Sequence, residues 1–165
     1  GAYLNGTHSF QTSEITENYA SNSGGGLYLD GSLSINLSHV DGNQSLSHGG
    51  GIYLTGDYFA DSSTVNLNTS GDNGGGVYGD GTLNVTFSDL NDNIGDNDGG
   101  GIWWGSGQVT VERSNIRRNS ATRGGGVFVL AENPIFQFDV IALNDASTIG
   151  GGMYIAKEST ASSPK

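Results

Sequence analysis

The sequence predicts an all-β solenoid, a parallel β-helix of about six and a half rungs with about 25 residues in each rung. Three observations predict this fold. Gly triplets recur at a nearly constant spacing, an aliphatic-x-x-Asn motif recurs in step with them, and apolar and polar residues alternate in between. A repeat this short cannot bury an apolar face alone, so its copies must stack. We expect one solenoid domain over residues 1–156, as a segment of a longer protein or assembly, and a polar tail or linker over residues 157–165.

The Gly triplets begin at residues 24, 49, 74, 99, 124 and 150, and each is followed by an aliphatic and then an aromatic residue. Gly1-Ala2-Tyr3 fits the same register, so we expect the sequence to start inside a rung. Neighbouring residues of a strand point to opposite faces, so the aliphatic column should line the core and the aromatic column the surface. The aliphatic column is Leu27, Ile52, Val77, Ile102, Val127 and Met153. The aromatic column, a candidate interaction ladder, is Tyr3, Tyr28, Tyr53, Tyr78, Trp103, Phe128 and Tyr154.

The second motif ends in an asparagine that precedes each triplet by six residues, or by five in one rung. Stacked amides can hydrogen-bond to one another and to turn carbonyls, which makes a buried polar column tolerable. We therefore predict a structural ladder formed by Asn18, Asn43, Asn68, Asn93, Asn119 and Asn144.

The segments between the two motifs alternate apolar and polar residues, as in Leu33-x-Ile35-x-Leu37, Leu83-x-Val85-x-Phe87 and Phe136-x-Phe138. This period of two predicts about three short strands per rung, each with its apolar residues facing the core. A β-propeller or a sandwich made of hairpins is the alternative, but it would need two-residue turns between antiparallel strands and, for a blade, a period of ~40–50 residues.

Charge limits the possible partners. The chain has 17 acidic and 6 basic residues, a net charge of −11, and every basic residue lies at or after residue 113. Such a surface repels phosphate backbones and anionic lipid, so we expect neither nucleic-acid binding nor membrane insertion. Residues 1–112 carry 13 carboxylates, whereas residues 113–165 carry six basic and four acidic groups. This asymmetry favours head-to-tail self-association, and neighbouring rungs of a longer chain are the alternative partner.

The paired motifs Gly-Gly-Gly-aliphatic and aliphatic-x-x-Asn resemble the Gly-Gly-Ala-aliphatic and Phe-x-x-Asn repeats of chlamydial polymorphic membrane proteins. They are similar to the Gly-rich right-handed parallel β-helix repeats of large bacterial surface proteins, and this resemblance, from Gly1 to Ile155, implies a right-handed coil. Here Gly replaces the Ala, and Ile, Val or Leu replaces the Phe. The shared motifs are structural, so no functional residue carries over.

No catalytic residue, metal ligand or cofactor site is predicted. Arg113, Arg117, Arg118 and Arg123 share one rung, and we expect local ion pairs with Asp89, Asp92 and Glu112 rather than catalysis. Asn-x-Ser/Thr sequons mark possible glycosylation at Asn5, Asn36 and Asn84. Two further sequons, at Asn43 and Asn68, fall in the predicted ladder, which argues against glycans there.

Every regular feature of the sequence serves the stacking of rungs. We therefore expect a non-enzymatic structural or adhesive rod, extracellular or on a cell surface, which would act as a filament subunit or a surface-display stalk. The alternative is a carbohydrate-binding or carbohydrate-cleaving β-helix, with glycans bound along the outward aromatic ladder.

Overall fold

A computed structural model describes residues 1–156, and within them it shows strands and turns but no helix. All of the strand pairs are parallel, and each strand pairs with its equivalents in the rungs before and after. The predicted fold class is thus confirmed as a parallel β-solenoid of six complete rungs and the first strand of a seventh. The predicted tail at residues 157–165 lies outside the described residues.

Four sheets run along the solenoid, and each complete rung contributes one short segment to each sheet. Sheet 1 contains β1 (Ala2–Asn5), β5 (Leu27–Asp30), β9 (Ile52–Leu54), β12 (Val77–Gly79), β16 (Ile102–Trp104), β20 (Val127–Val129) and β24 (Met153–Ile155). Sheet 2 contains β2 (His8–Gln11), β6 (Leu33–Asn36), β10 (Tyr58–Asp61), β13 (Leu83–Thr86), β17 (Val109–Glu112) and β21 (Ile135–Gln137). Sheet 3 contains β3 (Glu14–Thr16), β7 (His39–Asp41), β14 (Asp89–Asn91), β18 (Asn115–Arg117) and β22 (Val140–Ala142), with Thr64 bridging β7 and β14. Sheet 4 contains β4 (Tyr19–Ala20), β8 (Gln44–Ser45), β11 (Thr69–Ser70), β15 (Ile94–Gly95), β19 (Ser120–Arg123) and β23 (Asp145–Ile149).

The rung therefore has four strands rather than the expected three. The fourth strand is too short to show an alternation of apolar and polar residues, since in most rungs it is only two residues long. It follows the ladder asparagine and carries the chain to the next Gly triplet, where the turn into sheet 1 begins.

Where the repeat is longer than 25 residues, the additional residue lies in a turn or a bulge and leaves the pairing of the core strands in register. Leu83 pairs with Val109, an offset of 26, although Val77 pairs with Ile102 at 25, so the extra residue lies in the turn at 105–108. Later, the pairing of β19 with β23 shifts register between Ala121 and Arg123. Stacking is thus preserved because turns and one bulge accept the additional residues.

The core is a narrow column of aliphatic side chains. Leu27, Ile52, Val77 and Ile102 are fully buried, whereas Met153, which has no rung above it within residues 1–156, is partly exposed. The predicted inward column is therefore confirmed, except that its final member, Met153, is partly exposed.

In one column of the core, a large residue in one rung packs over a glycine in the rung before. Trp104 is fully buried, and its indole N–H donates to the carbonyl oxygen of Gly81 at 3.0 Å. A Cβ added at Gly79, its neighbour in the column, would lie 2.6 Å from the Trp104 ring. Gly79 therefore provides the space that the indole fills.

The corner between sheets 2 and 3 departs from the predicted alternation. That alternation places Leu37, Phe87 and Phe138 in the core, which is wrong, because they are 51%, 57% and 77% exposed. The backbone has φ values of 48°, 48° and 58° there, a left-handed bend that turns the next residue inward. The Arg113 guanidinium, in the same column, lies 5.5 Å from the Phe87 ring centroid and 5.3 Å from that of Phe138.

We predict that Ile52→Asp unfolds the solenoid. Ile52 is fully buried in an interior rung, and a carboxylate there has no partner, so the free energy of unfolding should fall by more than about 4 kcal/mol. The matched control is Ile94→Asp, also in an interior rung but 46% exposed, which should cost less than about 1 kcal/mol. Circular dichroism during urea unfolding measures both, and equal losses would contradict the assignment of the core.

Candidate functional site

The aromatic column of sheet 1 forms a continuous stack of rings on the outer face. Ring centroids of successive members are 4.3 to 6.2 Å apart, and their planes differ by 5° to 20°. The strand register causes this, since it places Tyr28 beside Tyr53 and Trp103 beside Phe128. Each ring in the middle of the ladder thus has a neighbouring ring on both faces.

This stacking decides which parts of the rings can meet a ligand. Sugars stack on the faces of aromatic rings, but in the ladder those faces are occupied, and mainly ring edges and hydroxyl groups remain at the surface. Partial burial raises the pKa values of the Tyr53 and Tyr78 hydroxyls, and the neighbouring tyrosine and Asp80 raise them further. Tyr53 and Tyr78 therefore present neutral phenol edges at physiological pH.

One member of the ladder is covered. Phe128 is only 3% exposed, and the Arg123 guanidinium lies 5.0 Å from its ring centroid and 5.7 Å from that of Tyr154. Arg123 donates two hydrogen bonds to the buried Asp98 of the previous rung, at 2.7 and 2.6 Å. This ion pair fixes the arginine over the ring, so the ladder is closed to solvent at this point.

Two of the other three arginines also find local partners, whereas Nε of Arg117 is buried without a hydrogen bond within residues 1–156. Arg118 pairs with Asp92 through two hydrogen bonds of 2.7 Å, and Arg113 pairs with Glu112. All of these arginines lie on the fifth rung, whereas the sixth, over residues 126–149, contains carboxylates and no Lys or Arg. Within residues 1–156, the positive charge that the sequence places at or after residue 113 therefore comes from the fifth rung alone.

The asparagine ladder is buried at the corner between sheets 3 and 4. In Asn68, which is typical, the backbone N–H and the Nδ2 group both donate to Oδ1 of Asn93, at 3.0 and 3.1 Å. The same Nδ2 also donates to the carbonyl oxygen of Val40 at 2.8 Å. Four members of the series each connect three successive rungs in this way and are fully buried yet hydrogen-bonded: Asn43, Asn68, Asn93 and Asn119.

The Gly triplet beside this ladder has a separate reason for each glycine. The first glycine of every triplet has a positive φ, between 59° and 71°. A Cβ on the second, for example Gly50, would collide with the carbonyl oxygens of Gly75 and Thr69. A Cβ on the third, for example Gly51, would lie 2.9 Å from Cγ of Asn68. The triplet is thus the backbone surface against which the asparagines pack.

A serine ladder, which neither of the two repeated motifs includes, lies at the corner between sheets 2 and 3. Each hydroxyl donates to a carbonyl two residues before it, and each one from Ser38 onward also accepts from the backbone N–H of its equivalent one rung earlier at 3.1 Å. The members are Ser13, Ser38, Ser63, Ser88 and Ser114. The signal was present, because a serine stands two residues before the aliphatic of five Asn motifs.

Asp139 takes the position of the sixth serine. Its Oδ1 accepts from the Ser114 N–H at 2.8 Å, but its Oδ2 is buried without a hydrogen-bond partner. A carboxylate cannot donate as a serine hydroxyl does, and burial raises the pKa of this group.

The possible glycosylation sites differ in their surroundings. Asn5 is exposed, and Nδ2 of Asn36 donates to Asp61 at 3.0 Å. Asn84 makes no side-chain hydrogen bond within the described residues, and it borders a shallow groove of about 260 Å³ on sheet 2. The centre of this groove is Phe59, whose ring is 41% exposed and, unlike the ladder rings, stacks on no other aromatic ring of residues 1–156.

No family model matches the chain, and no significant match to a curated protein or to a solved structure is found. In residues 1–156, no three His, Asp or Glu side chains are grouped so that they could hold a metal ion. The same residues contain no helix that is long and apolar enough to cross a membrane.

We predict that Asn68→Ala destabilises the protein by about 3 kcal/mol, because it leaves the Asn43 N–H and the Val40 carbonyl buried without partners. The control is Asn66→Ala in the same rung, where a half-buried side chain accepts one hydrogen bond from Asn91. That change should cost about 1 kcal/mol or less. Urea unfolding of both variants measures the difference, and equal costs would argue against the ladder.

Asp139→Ser should stabilise the protein at neutral pH by about 1 kcal/mol, because the hydroxyl can both accept and donate. The pKa of Asp139 is raised in the folded state, so its favourable contribution exists at low pH and is lost as pH rises through that pKa. The gain should therefore disappear near pH ~3.

Asp92→Ser provides a control, because the pKa of Asp92 is shifted in the opposite direction to that of Asp139. The hydrogen bonds from Arg118 lower the pKa of Asp92, so its contribution exists at neutral pH and is lost on acidification. That variant should be slightly less stable than the native chain at neutral pH. Thermal melts over a pH series measure both effects, and a pH-independent Asp139→Ser effect would refute the assignment.

Proposed function

We propose that this chain is a structural rod, the repetitive part of an extracellular or cell-surface protein that acts as a filament subunit, stalk or adhesive scaffold. The observation that carries the proposal is that the buried asparagine and serine side chains connect rung to rung. Their hydrogen bonds do not converge on a cavity where a reaction could occur. The motif resemblance to Gly-rich repeats of bacterial surface proteins supports the same conclusion.

The polarity of the asparagine ladder supports association at its ends. Each asparagine from Asn18 to Asn119 donates to the Oδ1 of the next rung, whereas Asn144 donates back to the Ile116 carbonyl and, within residues 1–156, meets no following asparagine. At the other end of residues 1–156, Asn18 donates to Asn43, but its own Oδ1 accepts from no other asparagine. Donors at one end and an acceptor at the other match in a head-to-tail arrangement, whether the next rung belongs to the same chain or to a second copy.

Sedimentation and electron microscopy of the native protein test this role. We expect particles that elongate with concentration, and Ile155→Lys should shorten them, because this 48% exposed residue ends an inward column. Ile94→Lys, a lateral change at a 46% exposed position, should leave the length unaltered. Monomers at every concentration, with particles no longer than the ~30 Å that six rungs span, would contradict the proposal.

Carbohydrate binding is the second candidate, and the observation that favours it is the groove around Phe59. Its ring face is free, and Ser34 and Asn84, which flank it in the adjacent rungs, make no side-chain hydrogen bonds within residues 1–156. A glycan array with Phe59→Ala and Tyr78→Ala separates the two surfaces. Binding that is lost only in Phe59→Ala would support a saccharide site in the groove, and loss only in Tyr78→Ala would place it on the ladder.

A further inference from the structure

Four consecutive members of the aromatic ladder are tyrosines that stack on one another. Ring centroids are 5.3 Å apart for Tyr3 and Tyr28, 4.6 Å for Tyr28 and Tyr53, and 5.2 Å for Tyr53 and Tyr78. The planes of these three pairs differ by 20°, 18° and 5°. The parallel strand register holds the four residues one rung apart, so their side chains leave the sheet in the same direction.

We propose that this tyrosine row is a site of oxidative cross-linking, in which a peroxidase-type one-electron oxidant with hydrogen peroxide joins neighbouring rungs through dityrosine bonds. The proposal is independent of the rod's role, because it rests only on the distances and orientations within the ladder.

The chemistry requires two neighbouring radicals. The oxidant removes one electron from each of two phenols, each phenol releases its hydroxyl proton, and one hydrogen peroxide is reduced to two waters. The two phenoxyl radicals then couple through carbons ortho to their oxygens, and loss of the ring hydrogens to the oxygens restores both aromatic rings. The chain loses two hydrogens per bond. Carbon–carbon coupling is fastest where two rings already overlap, since no diffusion is needed.

The surroundings of the row favour the reaction. Tyr3 is well exposed, and Tyr28, Tyr53 and Tyr78 are half-buried, so their edges are open to an oxidant in solution. Carboxylates of Asp30 and Asp80 act on the Tyr53 hydroxyl closely enough to contribute to its raised pKa, and they can accept the released protons.

The remaining tyrosines provide internal comparisons. Tyr19 is exposed on sheet 4 but has no stacked ring within the described residues. Tyr154 stacks on Phe128, which has no hydroxyl, and Tyr58 is fully buried. Within residues 1–156, only the four tyrosines of the row therefore stack on another tyrosine. They can form at most two bonds that share no residue, Tyr3–Tyr28 and Tyr53–Tyr78.

The test is to treat the native protein with a peroxidase and hydrogen peroxide at a dilution that keeps chains apart. Dityrosine fluorescence, intact mass and sequencing of cross-linked peptides report the products. We expect monomeric chains that have lost two hydrogens per bond, with bonds between adjacent members of the row. Their unfolding midpoint should shift to higher temperature, because each bond closes a 25-residue loop.

Tyr53→Phe is the deciding variant, because phenylalanine keeps the ring that the ladder needs but has no hydroxyl. It should lose every bond that involves rungs three and four and retain only Tyr3–Tyr28. Tyr154→Phe, whose ring stacks on Phe128 and on no tyrosine of residues 1–156, should react as the native chain does. Native chains that form only intermolecular bonds, or that yield the same intramolecular products after unfolding in urea, would overturn the proposal.

Discussion

The hydrogen bonding of the asparagine ladder is the constraint on which the rest of the solenoid depends. Each buried Nδ2 group binds the carbonyl of the rung before and the Oδ1 of the rung after, as in Asn93. A rung out of register would leave both groups unpaired in a low-dielectric core, at a cost of about 1–3 kcal/mol for each. The core register is therefore maintained, and the extra residue of the fifth rung lies in the turn at 105–108.

A register fixed in this way also determines the surface. Equivalent residues stand one above another at the ~4.8 Å spacing of the strands, which is close to the distance at which aromatic rings stack. An aromatic at the outward position of sheet 1 in every rung must then stack on its neighbours, as Tyr78 does on Trp103 at 4.3 Å. Where the ladder meets a buried carboxylate, the arginine that neutralises Asp98 covers Phe128 as well.

The sequence was sufficient for the features that repeat and insufficient for those that do not. Period, core column and asparagine positions follow from spacing alone. The left-handed bends at Leu37 and Phe87 could not be predicted, because non-glycine residues rarely adopt positive φ and no residue type is common to this column. The burial of Trp104 depends on the absence of a side chain at Gly79, a relation between two rungs that a single-repeat motif cannot contain.

The difference between repeated and unrepeated positions also bears on function. A ladder present in every rung gives the rod the same property along its whole length. That property could be stiffness, a surface that binds another chain, or a row of residues that can be cross-linked. A ligand site at one defined place requires a departure from the repeat. On sheet 2, the outward neighbours of Phe59 are the small polar residues Ser34 and Asn84, so an apolar ring stands alone between groups with free hydrogen-bonding capacity. A site for one specific ligand is therefore better placed at this interruption around Phe59 than on the aromatic ladder, which recurs in every rung.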